Sequence, residues 1–506
     1  MKLLYITLLL ILFSCAQKET KTLKEATNFC DQIETVDNGT LSNQLKSISN
    51  KLETKTGVYV LENGTESLIT RAWLTQASQK TIDIQYFIFS LDNVGLIGCD
   101  YIIRAADRGV NIRILVDDLM LEAELEDILT LDAHENISIK IYNPNINLGK
   151  NILSKIKGIT TNFKSINQRM HNKTFTVDKK VVVTGGRNIA DEYFDYDHEY
   201  NFRDRDVLLL GKETTSIVNS FDTFWKHSLS VPITNLSNDT IKVNKNTYNK
   251  LHEYACNPEN FWPEVRKNIN NFPLLFKEIQ KTNKLIWTDE VSFIADSPGK
   301  NETIKGLKGG GITTSKLIEL VNNAKHSIDI QTPYLITTEL GIQLFKKAID
   351  KGVKIRILTN SLASTDNLAA FSGYQKNREA LLKIGVKIFE FKPDAAIRKK
   401  IMTNSLQKSL KHTPIFGLHA KSMVIDKEIS VVGTFNLDPR SANLNTECIT
   451  IIKSTEISSG ILNGIEQELL PENSWETTLN FNPDSEVSKW KRVKTWSRKV
   501  LPKSIL

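Results

Sequence analysis

The chain of 506 residues has little of what metal or redox chemistry requires: five cysteines, eight histidines, no C-x-x-C pair and no Cys/His spacing that suits zinc. Cys99 and Cys448 fall in patterns of a packed helix and a packed strand, and read as small buried hydrophobes. Cys30 and Cys256 stay open as a disulfide pair, which export would permit. Past the first residues there is no run of eighteen apolar residues, so no transmembrane helix is predicted there. Compositional extremes are missing too. With 40% hydrophobic and 24% charged residues, the chain is neither disordered nor fibrous. At roughly 100–200 residues per domain its length allows two to four units. The net charge of +7 leans toward anionic partners, although a Lys- and Asn-rich composition produces the same lean.

The first positive signal is at the start. Lys2 precedes an apolar run, Leu3 to Phe13, broken by Thr7. That run is too short to span a bilayer and fits a secretory h-region. Leu12-Phe13-Ser14-Cys15 then resembles a bacterial lipobox, so 1–14 reads as a signal peptide and Cys15 as a lipidated N-terminus. Residues 15–60 read as a polar, partly helical spacer.

The second signal is a long internal repeat. Thr81-Ile82-Asp83-Ile84-Gln85 returns as Ser327-Ile328-Asp329-Ile330-Gln331, and Arg108 to Leu115 returns as Lys351 to Leu358. His171, Lys173 and Asp178 return as His419, Lys421 and Asp426. From repeated Asp to repeated His there are 88 residues in one copy and 90 in the other. Each copy reads as β-α-β, with helices over Val94–Arg108 and Glu339–Lys351 closed by Gly109 and Gly352, which predicts a largely parallel sheet faced by helices. The boundaries are 61–230 for the first repeat, 231–285 for a connection and 286–506 for the second repeat. Stretches 143–168 and 395–416 precede the two motif histidines without clean periodicity and read as site-covering loops.

The H-x-K-x4-D spacing has a chemical reading. Residues i and i+2 of a strand share a face, so His171 points with Lys173 and His419 with Lys421. Two copies facing across a pseudo-two-fold would surround one small volume with two imidazoles and two ammoniums. Lysines there neutralise non-bridging phosphate oxygens, one His attacks phosphorus and the other protonates the leaving oxygen. After six intervening residues each motif Asp is followed by Gly185-Gly186-Arg187-Asn188 or Gly433-Thr434-Phe435-Asn436. Asn188 and Asn436 offer amide donors, and Thr434 a hydroxyl. An imidazole nucleophile also needs a carboxylate on its far nitrogen. Glu447 is the candidate in the second copy, and Asp204 or its rival Glu199 in the first.

The paired H-x-K-x4-D-x6-G-x-x-N pattern resembles the phospholipase D superfamily. Further blocks are similar to its bacterial cardiolipin synthase C branch: Asn167–Lys173, Gly185–Phe194, Asp296–Lys300, Thr359–Asp366, Asn436–Glu447 and Leu501–Ser504. The resemblance runs from about residue 60 to the C-terminus. It implies an α/β fold of two tandem phospholipase D-like α/β/α repeats with a single active site at their interface. It also implies a ping-pong reaction without metal or other cofactor, in which His171 carries a phosphatidyl group, His419 is the general acid, and Lys173, Lys421, Asp178 and Asp426 complete the catalytic set. The implied partners are a membrane surface and phospholipids: phosphatidylglycerol, with phosphatidylethanolamine as a further candidate. Gly186 stands where many relatives have Ser. A phospholipase hydrolase and a secreted nuclease of the same fold are the competing readings. The lipid anchor and the branch-specific blocks argue against nucleic acid. The basic, Trp-bearing tail Lys489–Lys503 suits either an interfacial membrane contact or packing on the domain.

Overall fold

The computed structural model describes residues 29–33, 37–122, 125–144, 167–236, 245–304, 307–402 and 413–506. Cys15, the predicted signal peptide, residues 145–166 of the first predicted loop and 403–412 of the second lie outside the described residues. The first half contains β1 (Thr56–Leu61), β2 (Thr81–Ser90), β3 (Asn111–Glu122), β4 (Ile137–Tyr142), β5 (Thr174–Val177), β6 (Val181–Gly185), β7 (Tyr200–Arg203), β8 (Asp206–Gly211), β9 (Ser230–Pro232) and β10 (Ile286–Thr288). All but β7 join one sheet, in the order β10-β1-β8-β6-β5-β2-β3-β4-β9. The second half contains β11 (Val291–Ala295), β12 (Ser327–Gln331), β13 (Lys354–Asn360), β14 (Lys387–Phe391), β15 (Ile415–Leu418), β16 (Ser422–Ile425), β17 (Ile429–Gly433), β18 (Cys448–Lys453) and β19 (Ser474–Thr477). Its sheet runs β11-β18-β17-β16-β12-β13-β14-β19.

The sheets are mixed, not largely parallel. Within these two sheets, among the described residues, only β2-β3-β4 and β12-β13-β14 pair in parallel. These are the strands joined by helical crossovers, as parallel pairing requires. The motif strands instead form tight hairpins, β5–β6 and β16–β17. The predicted crossover helices are present as Asn93–Asp107 and Glu339–Asp350, each followed by a glycine at positive φ.

Strand alternation explains how one sheet serves two cores. Val181 and Val183 of β6, with Leu208 and Leu210 of β8, face the first half's own helices. The intervening Val182, Val207 and Leu209 pack instead against Val424, Val432, Cys448 and Ile452 of the second half. Met423, Ile425, Val431 and Ile449 fill the second half's own core. Both faces of these strands are covered, hence their nearly continuous apolar sequences.

Three sequence boundaries move. The spacer ends well before residue 60, because Leu41, Leu45 and Ile48 belong to the first core and β1 begins at Thr56. The connection is not a separate linker. Its helices Lys245–Cys256 and Pro263–Lys281 carry Ala255, Phe272 and Phe276 into that same core, where the two Phe rings flank Trp73. Strand β10 completes the first sheet, not the second. Asn- and Lys-rich surfaces obscured the apolar stripe of these helices. Cys30 and Cys256 form a disulfide across 226 residues, while Cys99 and Cys448 are free and buried.

Candidate active site

The halves exchange backbone where the site forms. Strand β7 pairs in parallel with β15, so Tyr200–Arg203 of the first half lies beside Ile415–Leu418 of the second. Met170 and Thr446 make the matching parallel bridge. Each pairing leads directly into the chemistry. The chain running out of β15 reaches His419 beside Asp204, and the chain through Met170 reaches His171 beside Glu447. The backbone N–H of His419 donates to the Arg203 carbonyl (2.8 Å), and that of His171 to the Thr446 carbonyl (3.0 Å).

The carboxylates are therefore crossed between halves. His171 Nδ1 lies 2.8 Å from Glu447 Oε2, and His419 Nδ1 lies 2.6 Å from Asp204 Oδ2. Asp204 and Glu447 were expected to serve the His of their own copies, and each serves the other. Glu199 is exposed and is not the partner of either ring: its carbonyl accepts from Ile415 N–H, and its own N–H donates to Asp197.

Each carboxylate is fixed by different means. The Thr434 hydroxyl donates to Glu447 Oε2 and accepts from the Cys448 N–H. At the equivalent position is Gly186, where a Cβ would fall 2.1 Å from Asp204 Oδ1. Glycine is required there because the carboxylate occupies the space of a side chain. Asp204 Oδ1 accepts instead from the Arg205 N–H at 2.7 Å.

Two of the expected catalytic residues are not at the site. Asp178 and Asp426 open the three-residue turns of the motif hairpins, each followed by Lys179 or Lys427, all four at positive φ. Asp178 accepts from the backbone N–H groups of Gln79, Lys80 and Thr81, and Asp426 from those of Lys325, His326 and Ser327. Each pins its hairpin to the start of the neighbouring strand, β2 or β12, a positioning contact and not one to an imidazole or ammonium of the site.

The remaining groups converge. Lys173, Lys421, both imidazoles and both carboxylates are buried. Lys173 Nζ donates to the His171 carbonyl (2.9 Å), whereas Lys421 Nζ lies 2.8 and 3.0 Å from the two ring nitrogens of His419. Among the described residues no hydrogen bond to His171 Nε2 is seen, so that nitrogen is open to a reactant. The Asn188 side-chain carbonyl accepts from the Ile88 N–H, which commits half of that amide to structure. Asn436 is buried with its side-chain oxygen unpaired.

Burial is the main cause of the electrostatics. It pushes His171 down to about 4, with Glu447 opposing and Lys173 assisting. It pushes His419 down to about 3, with Lys421 assisting and Asp204 opposing. Burial and the neighbouring Lys421 bring Lys173 down to about 7, and burial brings Lys421 down to about 8. Asp204 and Glu447 are held below the usual carboxylate range, against the effect of burial, chiefly by their His partners. Near neutral pH the site thus has charged carboxylates, neutral imidazoles, a mostly charged Lys421 and a Lys173 about half charged because a second ammonium beside the first is repelled. An arriving phosphate anion would relieve that repulsion.

Such a cradle suits a phosphodiester, and the chain's relatives agree. The family model described as "Cardiolipin synthase, PLD-like domain" matches twice, over residues 72–225 and 317–469. The chain belongs to this phospholipase D-like family. Cardiolipin synthase C of Escherichia coli K12 is 30% identical over 413 residues, 79% of this chain and 82% of that one. An uncharacterised protein of Helicobacter pylori J99 is 33% identical over 423 residues, 83% of this chain and 80% of its own length. In fold, the chain matches the crystal structure of phosphatidylserine synthase from Haemophilus influenzae with a TM-score of 0.59 at 14% identity, covering 92% of this chain and all of that one. Two phospholipase D-like halves and an activity on phospholipid phosphodiesters follow from the family.

Sequence reasoning missed the rings that hold the imidazoles. Phe87 meets His171 edge-on at 5.0 Å, and Tyr193 and Phe202 pack on His419 at 5.1 and 4.7 Å. Phe87 follows the repeated Ile-Asp-Ile-Gln block by two residues, and Phe202 precedes Asp204 by two. Period-2 alternation could have drawn attention to both.

Proposed function

We propose that this chain is a phosphatidyltransferase that forms cardiolipin from phosphatidylglycerol through a phosphohistidine on His171. The observation that carries the reading is the crossed pair of imidazoles, each anchored at Nδ1 by a carboxylate and sharing two buried lysines. His171 Nε2 attacks phosphorus while Glu447 accepts the Nδ1 proton's hydrogen bond. The P–O bond to the leaving glycerol breaks, and His419 Nε2 donates its proton to that oxygen. Lys173 and Lys421 hold the non-bridging oxygens, where charge grows. His419, now neutral, takes the proton of the incoming hydroxyl as its oxygen attacks phosphorus and the P–N bond breaks. A phosphatidylglycerol acceptor then yields cardiolipin, and water yields phosphatidic acid.

His419 must be protonated for the first step although burial and Lys421 hold it down. Binding a phosphate anion against Lys421 reverses part of that push. Turnover should follow a bell in pH, falling on the acid side as His171 protonates and on the alkaline side as His419 loses its proton, with limits that belong to the coupled pair. Export and lipidation at Cys15 are part of the same reading, supported by the lipobox-like segment and by a disulfide that an oxidising compartment sustains. Intact mass of the mature chain tests the lipid.

The deciding experiment supplies labelled phosphatidylglycerol in vesicles, with and without phosphatidylethanolamine. Labelled cardiolipin with release of glycerol is the expected result. Phosphatidic acid alone at saturating acceptor would make the chain a hydrolase, and cleavage of DNA with no lipid turnover would reject the lipid reading.

A further inference from the structure

The last eighteen residues form an outward-facing surface that the phosphodiester chemistry does not use. Residues Lys489–Ser497 form a helix, and Arg498–Val500 continue it as a tighter turn. Trp490, Val493 and Trp496 are 66, 53 and 69% exposed, and Val500 is 84% exposed. At 3.6 residues per turn the first three lie within an arc of about 120°. Large apolar groups aligned on one exposed face are not packing the domain.

The other face is firmly seated. Thr495 is buried, Lys491 Nζ donates to the Ala363 carbonyl (3.3 Å), and Lys376 Nζ donates to the Lys499 carbonyl (2.6 Å). Both expectations for the tail are thus realised on different faces: it packs on the domain with one and presents tryptophans with the other. The segment carries seven bases, Lys489, Lys491, Arg492, Lys494, Arg498, Lys499 and Lys503, and no acidic side chain. Its anchors lie beside the active site. Ala363 is in the turn whose Ser364 carbonyl accepts from Tyr200 of β7, and whose Asp366 bonds Tyr334 at 2.6 Å and interacts with Lys421. At the other end, Arg440 donates both to the Ile505 carbonyl and to Asn167, four residues before His171.

We propose that the face of residues 489–506 bearing Trp490, Val493, Trp496 and Val500 docks on the headgroup layer of an anionic phospholipid bilayer. This rests on the phospholipid reading above and adds how the site meets its substrate. Indole rings combine an apolar body with one N–H donor and settle at the headgroup level. A basic surround with no acid complements anionic lipid, and an interfacial helix buries its apolar face by about 5–10 Å. Because the segment is tied at both ends to elements beside the site, docking brings the headgroup plane to the histidines.

The test uses the full chain on vesicles of phosphatidylglycerol and phosphatidylcholine with brominated acyl chains, which quench tryptophans that reach them. Wild-type fluorescence should be quenched, and W490F/W496F should lose that quenching while retaining the anchor of Cys15. W490A/W496A should lower turnover on these vesicles about tenfold. On short-chain phosphatidylglycerol below its critical micelle concentration its rate should match wild type. K489Q/R492Q/K494Q should weaken attachment to anionic vesicles by about fivefold per base and leave neutral vesicles unaffected. Equal quenching of wild type and W490F/W496F would overturn the proposal. So would a dimer, dissociated by W490A/W496A, in a chain whose tryptophans are not quenched, since a second copy would then cover this face. If quenching depends on Trp490 and Trp496 but no lipid is turned over, the docking surface stands and the phosphatidyltransferase reading fails.

Discussion

The two halves bring the same motif to the site and arm it differently. His171 receives the longer carboxylate, Glu447, which a threonine hydroxyl holds, and its Nε2 is open. His419 receives the shorter Asp204, admitted by a glycine and held by a backbone N–H, and Lys421 stands against both ring nitrogens. A duplicated motif has thus become two unequal tools. An open nitrogen suits attack, and a ring already surrounded by hydrogen-bonding partners suits passing a proton. The inequality gives a structural ground for making His171 the nucleophile.

The sharpest way to break this comparison is to remove each ring. His171→Ala should abolish turnover and all covalent labelling. His419→Ala should slow natural lipid turnover by about 10²–10⁴-fold, yet still label when the substrate carries a nitrophenyl leaving group that needs no acid. Labelling lost in the His419 variant and kept in the His171 variant would reverse the roles. The carboxylates come next, at about 10²-fold each. In the crossed arrangement Glu447→Gln should behave like the His171 variant and Asp204→Asn like the His419 variant, whereas pairing within halves demands the opposite. Gly186→Thr should copy Asp204→Asn, because its side chain displaces that carboxylate. Thr434→Ala, which only frees Glu447 to turn, should cost about tenfold in kcat. The smallest effect belongs to Asp178→Asn and Asp426→Asn. Each should leave kcat within about twofold while lowering unfolding stability by about 1–2 kcal/mol, as read by denaturant titration. A large loss of kcat with an intact melting curve would return these aspartates to the chemistry.

How much of this could be seen in the sequence depended on range. His171, Lys173, His419 and Lys421 were legible because a repeat states the pattern twice; the strand expected to carry each pair begins only after the Lys, at Thr174 and Ser422. The fold of two α/β halves followed from the same blocks. The crossing of Glu447 and Asp204 was not legible, since it depends on β7 meeting β15 across 215 residues of chain. Asp178 and Asp426 misled for a simpler reason. Motif membership says that a residue is needed, not where, and the strand after the His carries each Asp roughly 20 Å along before the turn. The helices of 231–285 were hidden because they pack by a narrow stripe under an Asn- and Lys-rich surface.

The crossing also sets an order of events in the life of a chain. His171 waits for a carboxylate 276 residues later, and His419 needs one from 215 residues earlier. A chain interrupted between His171 and Glu447 therefore carries one or two of these imidazoles without a complete pair of partners. Neither histidine has its carboxylate until residues of both halves are in place, so the site is assembled by the whole chain and by no part of it.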